Sequence, residues 1–394
     1  MKSNYNFDTV CFGGEDWWYK NRAHIDMQLI RRCARKGTTL YINSIVMQKP
    51  GLSKSKKSGS ITFWQKLKRK AASIFKGLKP SGEGFWIYSP LTLPVHHIVW
   101  LRWLNELLLR TQVLIVMRIL KIKNPVVWVA CPAACDTAIK LKKNKLVYQR
   151  TDRFEEYPNV DKDIITRYDR DLKAEADLTL FVNQLLYDDE SQRCKKALFL
   201  DHGVDFDFFA DAENDGNVPA DIKNISKPIV GFFGAIDEHT FDIEFTAKVI
   251  ALLPGMNFVF VGQPTSDIGS MTANKNIYML GQKDYAQIPH YGKYFDVAIM
   301  PWNQNDWIKH CNPIKTKEYL ALGKPVVSTP FPELEKYLDV IYKAATPEEF
   351  AEKIRYALEN DNEQLKVQRK NKVRTFSWDS KAENVFENLF FKQA

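Results

Sequence analysis

Asn312-Pro-Ile-Lys-Thr-Lys-Glu-Tyr-Leu-Ala-Leu-Gly-Lys-Pro-Val-Val-Ser-Thr329 decides the fold of this 394-residue chain. Proline suits a helix start, where its missing N–H costs little, and glycine suits a helix stop, so a helix is predicted from about Pro313 to Gly323. The apolar run from Pro325 to Ser328 then reads as a buried strand. First-turn N–H groups form an anion site, and Lys315 adds a fixed positive charge. Glu318 falls on the face of Lys315 by i,i+3 spacing. Spacing alone leaves two readings: a surface Lys–Glu pair on an ordinary αβ unit, or a phosphate clamp with a carboxylate one turn away for ribose hydroxyls.

Working outward, apolar strands alternate with helical stretches. Strands are predicted at Phe7 to Phe12, Thr38 to Asn43, Val126 to Ala130, Lys145 to Arg150 and Asp177 to Asn183. A second series runs Ile229 to Phe233, Phe258 to Gly262, Ile277 to Leu280 and Asp296 to Pro301. A helix from Trp18 to Lys36 separates the first two strands. Alternation of this kind indicates parallel sheets covered on both faces, which is the α/β class. Gly13-Gly14 follows the first strand at its carboxyl end, where such sheets place ligands. Close backbone approach to a ligand and a plain tight turn both fit. No G-x-G-x-x-G dinucleotide fingerprint accompanies the pair.

With 45% hydrophobic residues over this length, one or two full-size cores can form, and two domains of similar size are expected. Six scattered cysteines form no zinc pattern: Cys131 and Cys135 are four apart, with no second pair or nearby histidine. Neither a metal nor a cofactor is expected. The N-terminus shows no signal-peptide run, and no segment reaches the roughly 18 apolar residues of a spanning helix. A cytoplasmic protein with reduced thiols follows as the expectation.

Charge is unevenly distributed. Residues 1–150 carry 27 Lys+Arg against 7 Asp+Glu, and the remainder 29 against 40, so a +20 half precedes a −11 half. Such a basic half implies a polyanionic partner. Residues of about 51–84 look like an insertion: a basic linker, Gly51 to Gly59, then Ile61 to Leu78 with apolar positions at 61, 64, 67, 71, 74, 75 and 78. Lys66, Lys68, Arg69, Lys70 and Lys76 collar that face. A helix lying in an anionic membrane interface and an ordinary packed helix both suit the pattern. Nucleic acid fits less well, because the aromatics join the apolar face instead of alternating with cations. Val95 to Lys123 is a second apolar stretch, interrupted by Arg102, Glu106, Arg110 and Arg118; it suits a buried helix or one lining a groove for a lipid carrier.

The Asn312-Pro-x-Lys-x-x-Glu318 run with Gly323-Lys-Pro-Val-Val resembles the donor-binding signature of GT-B glycosyltransferases. Its form is similar to that of a bacterial branch acting in exopolysaccharide, capsule and teichuronic-acid synthesis. His202-Gly-Val-Asp-Phe-Asp-Phe-Phe209 resembles the linker between the two GT-B domains, which accounts for the D-x-D-like Asp205-Phe-Asp207. Phe376-Ser-Trp378 and the helix after it resemble the closing helix. The resemblance implies two Rossmann-like parallel-sheet domains facing across a cleft. An acceptor-binding domain would cover residues 1–203, a nucleotide-sugar domain 204–375, and a helix crossing back 376–394. Two departures stand out. His310 occupies the place of a first glutamate, and Gly234-Ala-Ile-Asp-Glu-His239 lacks the Arg and Lys that often complete the phosphate clamp.

On that resemblance the donor site comprises Asn312, Ile314, Lys315, Thr316 and Glu318, with Gly234, Gln263, Lys283 and Tyr285 around them. Gly13, Gly14 and Arg153 would serve the acceptor or phosphate side. Asp152, just past a strand's carboxyl end, is the candidate general base, with an ion pair to Arg150 or Arg153 as the alternative. Asp237 and His239 are weaker candidates. The implied activity is metal-independent transfer of a sugar from a nucleotide diphosphate, UDP by default. The acceptor would be a lipid-linked or nascent bacterial polysaccharide, reached at the inner face of the cell membrane. The alternative is a non-catalytic GT-B-like nucleotide- or glycan-binding protein.

Overall fold

A computed structural model describes residues 6–18, 24–43, 45, 47, 63–92, 99–157, 160–309 and 312–391. The chain divides into two compact units. Described residues up to Asp201, joined by 378–391, form the first; His202–Ser377 forms the second.

The first unit is built on an eight-stranded sheet. Its elements are β1 (Thr9–Phe12), α1 (Ile25–Cys33), β2 (Thr39–Ile42), α2 (Phe63–Lys76), β3 (Leu78–Gly82), β4 (Phe85–Tyr88) and α3 (Val99–Ile119). They continue with β5 (Val126–Val129), α4 (Cys135–Lys140), β6 (Lys145–Arg150), α5 (Lys162–Glu175), β7 (Leu178–Phe181), α6 (Gln184–Glu190) and β8 (Ala197–Phe199). Strand order is β3-β4-β2-β1-β5-β6-β7-β8, parallel except for β3 against β4. Every residue of β1, β2, β5 and β7 is buried, because helices cover both faces and leave no solvent side for polar alternation.

The second unit holds α7 (Phe206–Ala210), β9 (Ile229–Phe233), α8 (Ile243–Leu252), β10 (Asn257–Val261), α9 (Gly269–Thr272), β11 (Ile277–Met279) and α10 (Ile288–Gly292). Then come β12 (Val297–Met300), α11 (Asp306–Lys309), α12 (Ile314–Ala321), β13 (Val326–Ser328), β14 (Tyr342–Lys343), α13 (Pro347–Asn360) and α14 (Glu363–Arg374). Its sheet is wholly parallel in the order β11-β10-β9-β12-β13-β14. The order reverses between β9 and β12, which opens a crevice beyond their carboxyl ends. The final helix, α15 (Trp378–Phe390), belongs to the first unit: Asp379 pairs with Arg32 (3.1 Å) and Arg35 of and beyond α1, and Phe386 packs on Phe7.

Three local expectations change. The helix expected from Trp18 begins at Ile25; Trp17 and Trp18 form a turn in which the Trp18 N–H donates to Asp16 Oδ1 (2.9 Å). Leu78, read as the end of the basic helix, instead opens β3, because Gly77 at φ +57° turns the chain back. Residues 83–84 then turn that strand into β4, an edge hairpin the sequence reading missed. The basic linker Gly51 to Gly59 and Ile61 lie outside the described residues, as do His310 and Cys311.

Candidate functional site

At the crevice of the second unit, β9 ends in Gly234, whose φ of +142° favours glycine. A Cβ there would lie 2.7 Å from Lys315 Nζ and closer still to Cε. One on Gly262, just past β10, would overlap the Gly234 carbonyl. The two glycines thus let the Lys315 side chain lie across the sheet's carboxyl edge. Its ammonium also sits over the Phe232 and Trp302 rings, 5.8 and 5.4 Å from their centres. Tyr319, one turn along α12, fixes the helix by accepting the Phe233 N–H at its hydroxyl (2.9 Å).

Pro313 stands before α12 as its N-cap, and Gly323 at φ +72° ends the segment. Within the first turn, the Thr316 N–H donates to Pro313 O (3.2 Å) and its hydroxyl to Met300 Sδ (3.6 Å). Asn312 and Ile314 are half-buried beside them. Glu318 is only 3% exposed, and Tyr285 Oη donates to its Oε1 (3.3 Å). Burial pushes this carboxyl up to about 7; the Lys315 charge and the Tyr285 hydrogen bond pull it back, and Asp205 adds to the rise. A carboxylate so placed would gain from hydroxyl donors that favour its charged form.

The remaining donor-side candidates lie on nearby loops. Gln263 is exposed directly after β10. Lys283 pairs with Asp221 (2.6 Å) and lies over Tyr291. Asp237 organises its own turn, accepting the His239 and Thr240 N–H groups (both 2.9 Å) and the Thr240 hydroxyl (2.8 Å). Asn303 and Asn305 donate to the carbonyls of Glu238 and His239, tying the loops after β9 and β12 together. A cavity of about 250 Å³ opens between the loops after β12 and β13, lined in part by Asn303, Gln304, Asn305 and Glu335. Among the described residues, no three His, Cys, Asp or Glu side chains are grouped to hold a metal ion.

In the first unit, Asp152 follows β6 and accepts a hydrogen bond from Tyr157 Oη (2.9 Å). Burial raises its pKa; the Tyr157 bond and the charges of Arg150 and His24 oppose that rise. Arg150 itself is fully buried and makes a bidentate pair with Glu155 (2.8 and 2.9 Å), with further pairs to Glu190 and Asp169. Arg153 pairs with Asp189 (2.9 Å). The ion pairs open to Asp152 by sequence thus go elsewhere. Gly13 admits the Tyr41 ring, which a Cβ would overlap, and the Gly14 N–H donates to Asp26 Oδ2 (2.9 Å).

Two doubly wound sheets, each with a crevice at its strand-order reversal, and a last helix belonging to the first unit define the architecture. The fold is GT-B. Residues 227–360 match the family model described as "Glycosyl transferases group 1". TuaH of Bacillus subtilis (strain 168), to which a glycosyltransferase role in teichuronic acid biosynthesis is ascribed, is 27% identical over 195 residues. That alignment covers 47% of this chain and 48% of TuaH, so the chain spans about half the length of this relative. Among solved structures, sucrose-phosphate synthase from Thermosynechococcus elongatus superposes at a TM-score of 0.63 with 13% identity, covering 97% of this chain and 98% of that one. Anabaena HepE in complex with UDP and glucose gives 0.62 with 11% identity, covering 98% and 99%.

In this GT-B chain the structure gathers Gly234, Lys315 and Glu318, with Tyr285, at one crevice. Sequence reasoning missed Trp302 and Tyr319, which support Lys315 and α12, and Tyr157, which holds Asp152. The signal for Tyr319 was present in its place next to Glu318 within the motif, on a short helix buried from Thr316 to Ala321. Nothing local marks Trp302 or Tyr157.

Proposed function

We propose that the protein is a metal-independent glycosyltransferase that moves a sugar from a nucleotide diphosphate, with UDP the first choice. The observation that carries this reading is Lys315 lying over Gly234 at the crevice, with the buried Glu318 one turn along. Lys315 and the first turn of α12 would hold the pyrophosphate, where positive charge stabilises the departing diphosphate. Glu318 would accept the ribose hydroxyls. The cavity between the loops after β12 and β13 would offer a sugar's hydroxyl groups the side chains of Asn303, Gln304, Asn305 and Glu335, beside the apolar Phe331 and Pro332. Asp152, its pKa raised by burial, would take the proton from the acceptor hydroxyl if configuration inverts; such help supplies about 10²–10⁴-fold.

The acceptor in this reading is a lipid-linked or nascent bacterial polysaccharide, and the protein works from the cytoplasm against the inner face of the membrane. Support comes from the +20 charge of residues 1–150 and from the partial likeness to TuaH. The cation-free loop after Gly234 favours a second reading, a GT-B-like binding protein without turnover.

Thermal unfolding with UDP, GDP, ADP and dTDP tests the donor site. A ligand at a hundred times its Kd adds about 2.7 kcal/mol of stability. One nucleotide should raise the Tm clearly, and Lys315→Ala should lose the shift while staying folded. No shift with any nucleotide would overturn the assignment. A shift without donor hydrolysis or transfer, with membranes present, would leave the binding-protein reading.

A further inference from the structure

The outward face of α3 is largely apolar, broken by the exposed Thr111 and Arg118. Trp100, Trp103, Leu104, Leu114, Ile115 and Ile119 are each 40–66% exposed. They form two groups joined by the half-buried Leu107 and Leu108, and lie along one stripe of a 21-residue helix, about 31 Å long. The opposite face is also apolar: Leu109, Val113, Val116 and Met117 are buried in the core of the first unit. Ordinary surface helices carry charge on the outer side, so this one is built for a second apolar surround. It does not cross a bilayer, since no described helix is long and apolar enough.

Charge indicates what covers the stripe. The single acid of α3, Glu106, is buried and neutralised by Arg110 (3.1 Å) and Lys140 (2.9 Å). Arg118 at the end of the helix, and Lys121 and Lys123 just beyond it, are exposed. Exposed tryptophans at one end of the stripe and a cluster of cations at the other are both features of the boundary between acyl chains and anionic headgroups. A protein partner would more often meet a stripe of this size with an acid, and among the described residues of α3 no exposed acid lies on this face.

We infer that α3 docks edge-on into the interface of an anionic lipid bilayer, with the Trp100–Ile119 stripe among the acyl chains and Arg118, Lys121 and Lys123 at the headgroups. This rests on the proposed membrane-facing role of the first unit and moves the principal contact from residues 51–84 to α3. The donor site plays no part in it.

Sedimentation of the full chain with vesicles of phosphatidylglycerol and phosphatidylcholine, and of phosphatidylcholine alone, provides the test. The unmodified protein should bind the anionic vesicles and hardly the neutral ones. Trp103→Glu with Ile115→Glu should weaken that binding at least tenfold while the Tm shift with nucleotide is unchanged. Trp100→Ser with Ile119→Ser should weaken it by a smaller factor, and keeps the test decisive if the first pair fails to fold. Undiminished binding by either folded variant would overturn the assignment, as would no vesicle binding by the unmodified protein. A dimer in solution that these substitutions dissociate, without vesicle binding, would show a second copy as the occupant instead. Loss of the nucleotide shift in all proteins, with vesicle binding intact, would count against the donor site alone.

Discussion

At the residue scale, Glu318 carries the most testable chemistry. Its carboxyl titrates at about 7 when folded against an ordinary value of 4.5. Between those two pH values the unfolded chain has lost a proton that the folded chain retains, so stability contributed at this site falls as pH rises through the window and levels off above it. Glu318→Gln removes the dependence. The variant should gain stability relative to the parent as pH rises from 5 to 8, by up to about 3 kcal/mol, which urea unfolding at several pH values would show. The sign for ligand binding is opposite. Ribose hydroxyls favour the carboxylate, so UDP affinity should increase with pH through 7, with protons released on binding. Calorimetry in buffers of different ionisation enthalpy should detect the release, and it should vanish in Glu318→Gln.

At the scale of elements, the packing of β9, β10 and α12 governs where Lys315 points. Gly234→Ala places a methyl group where the Lys315 chain runs and forces an unfavourable φ. Strain of this kind costs about 1–3 kcal/mol. Nucleotide affinity should drop at least tenfold with the circular dichroism spectrum kept; unchanged affinity would mean the lysine can re-route. Local capping was the most readable part of these elements. Pro313 and Gly323 bracket α12 as expected, since both act through their own backbone geometry. The β3–β4 hairpin was missed because its strand Leu-Lys-Pro-Ser-Gly has neither alternation nor β-branched residues. It exists because β4 offers an edge to pair with.

At the scale of the whole molecule, the chain leaves the first unit at Asp201 and returns to it at Trp378. Trp378 is fully buried, and Val385 and Phe386 further along the same helix are buried too. Trp378→Ala should therefore cost about 3–5 kcal/mol in that unit. Followed by calorimetry, the lower Tm should belong to the first unit, while the UDP-dependent shift of the second persists. A variant that lost the nucleotide shift instead would indicate that the two units unfold as one.

What the sequence determined by itself was everything carried by spacing and by backbone chemistry along a short stretch. The strand series, the two mainly parallel sheets, the α12 motif and the long helix of residues 99–119 follow from apolar runs, from the 3.6 period of helices and from well-placed proline and glycine. Tertiary structure decided which partner each polar group meets. Asp152 is held by Tyr157 while Arg150 is taken by Glu155, Asp169 and Glu190, the last two being 19 and 40 residues away. Gly13 serves the Tyr41 ring, and the ionisation of Glu318 depends on Tyr285 and Asp205 from other elements. The same holds for α3, whose sequence suits a buried helix and whose outer face is left open by the packing around it. Local pattern reports only which side chains share a face, whereas burial and pairing depend on distant segments brought together by the sheet.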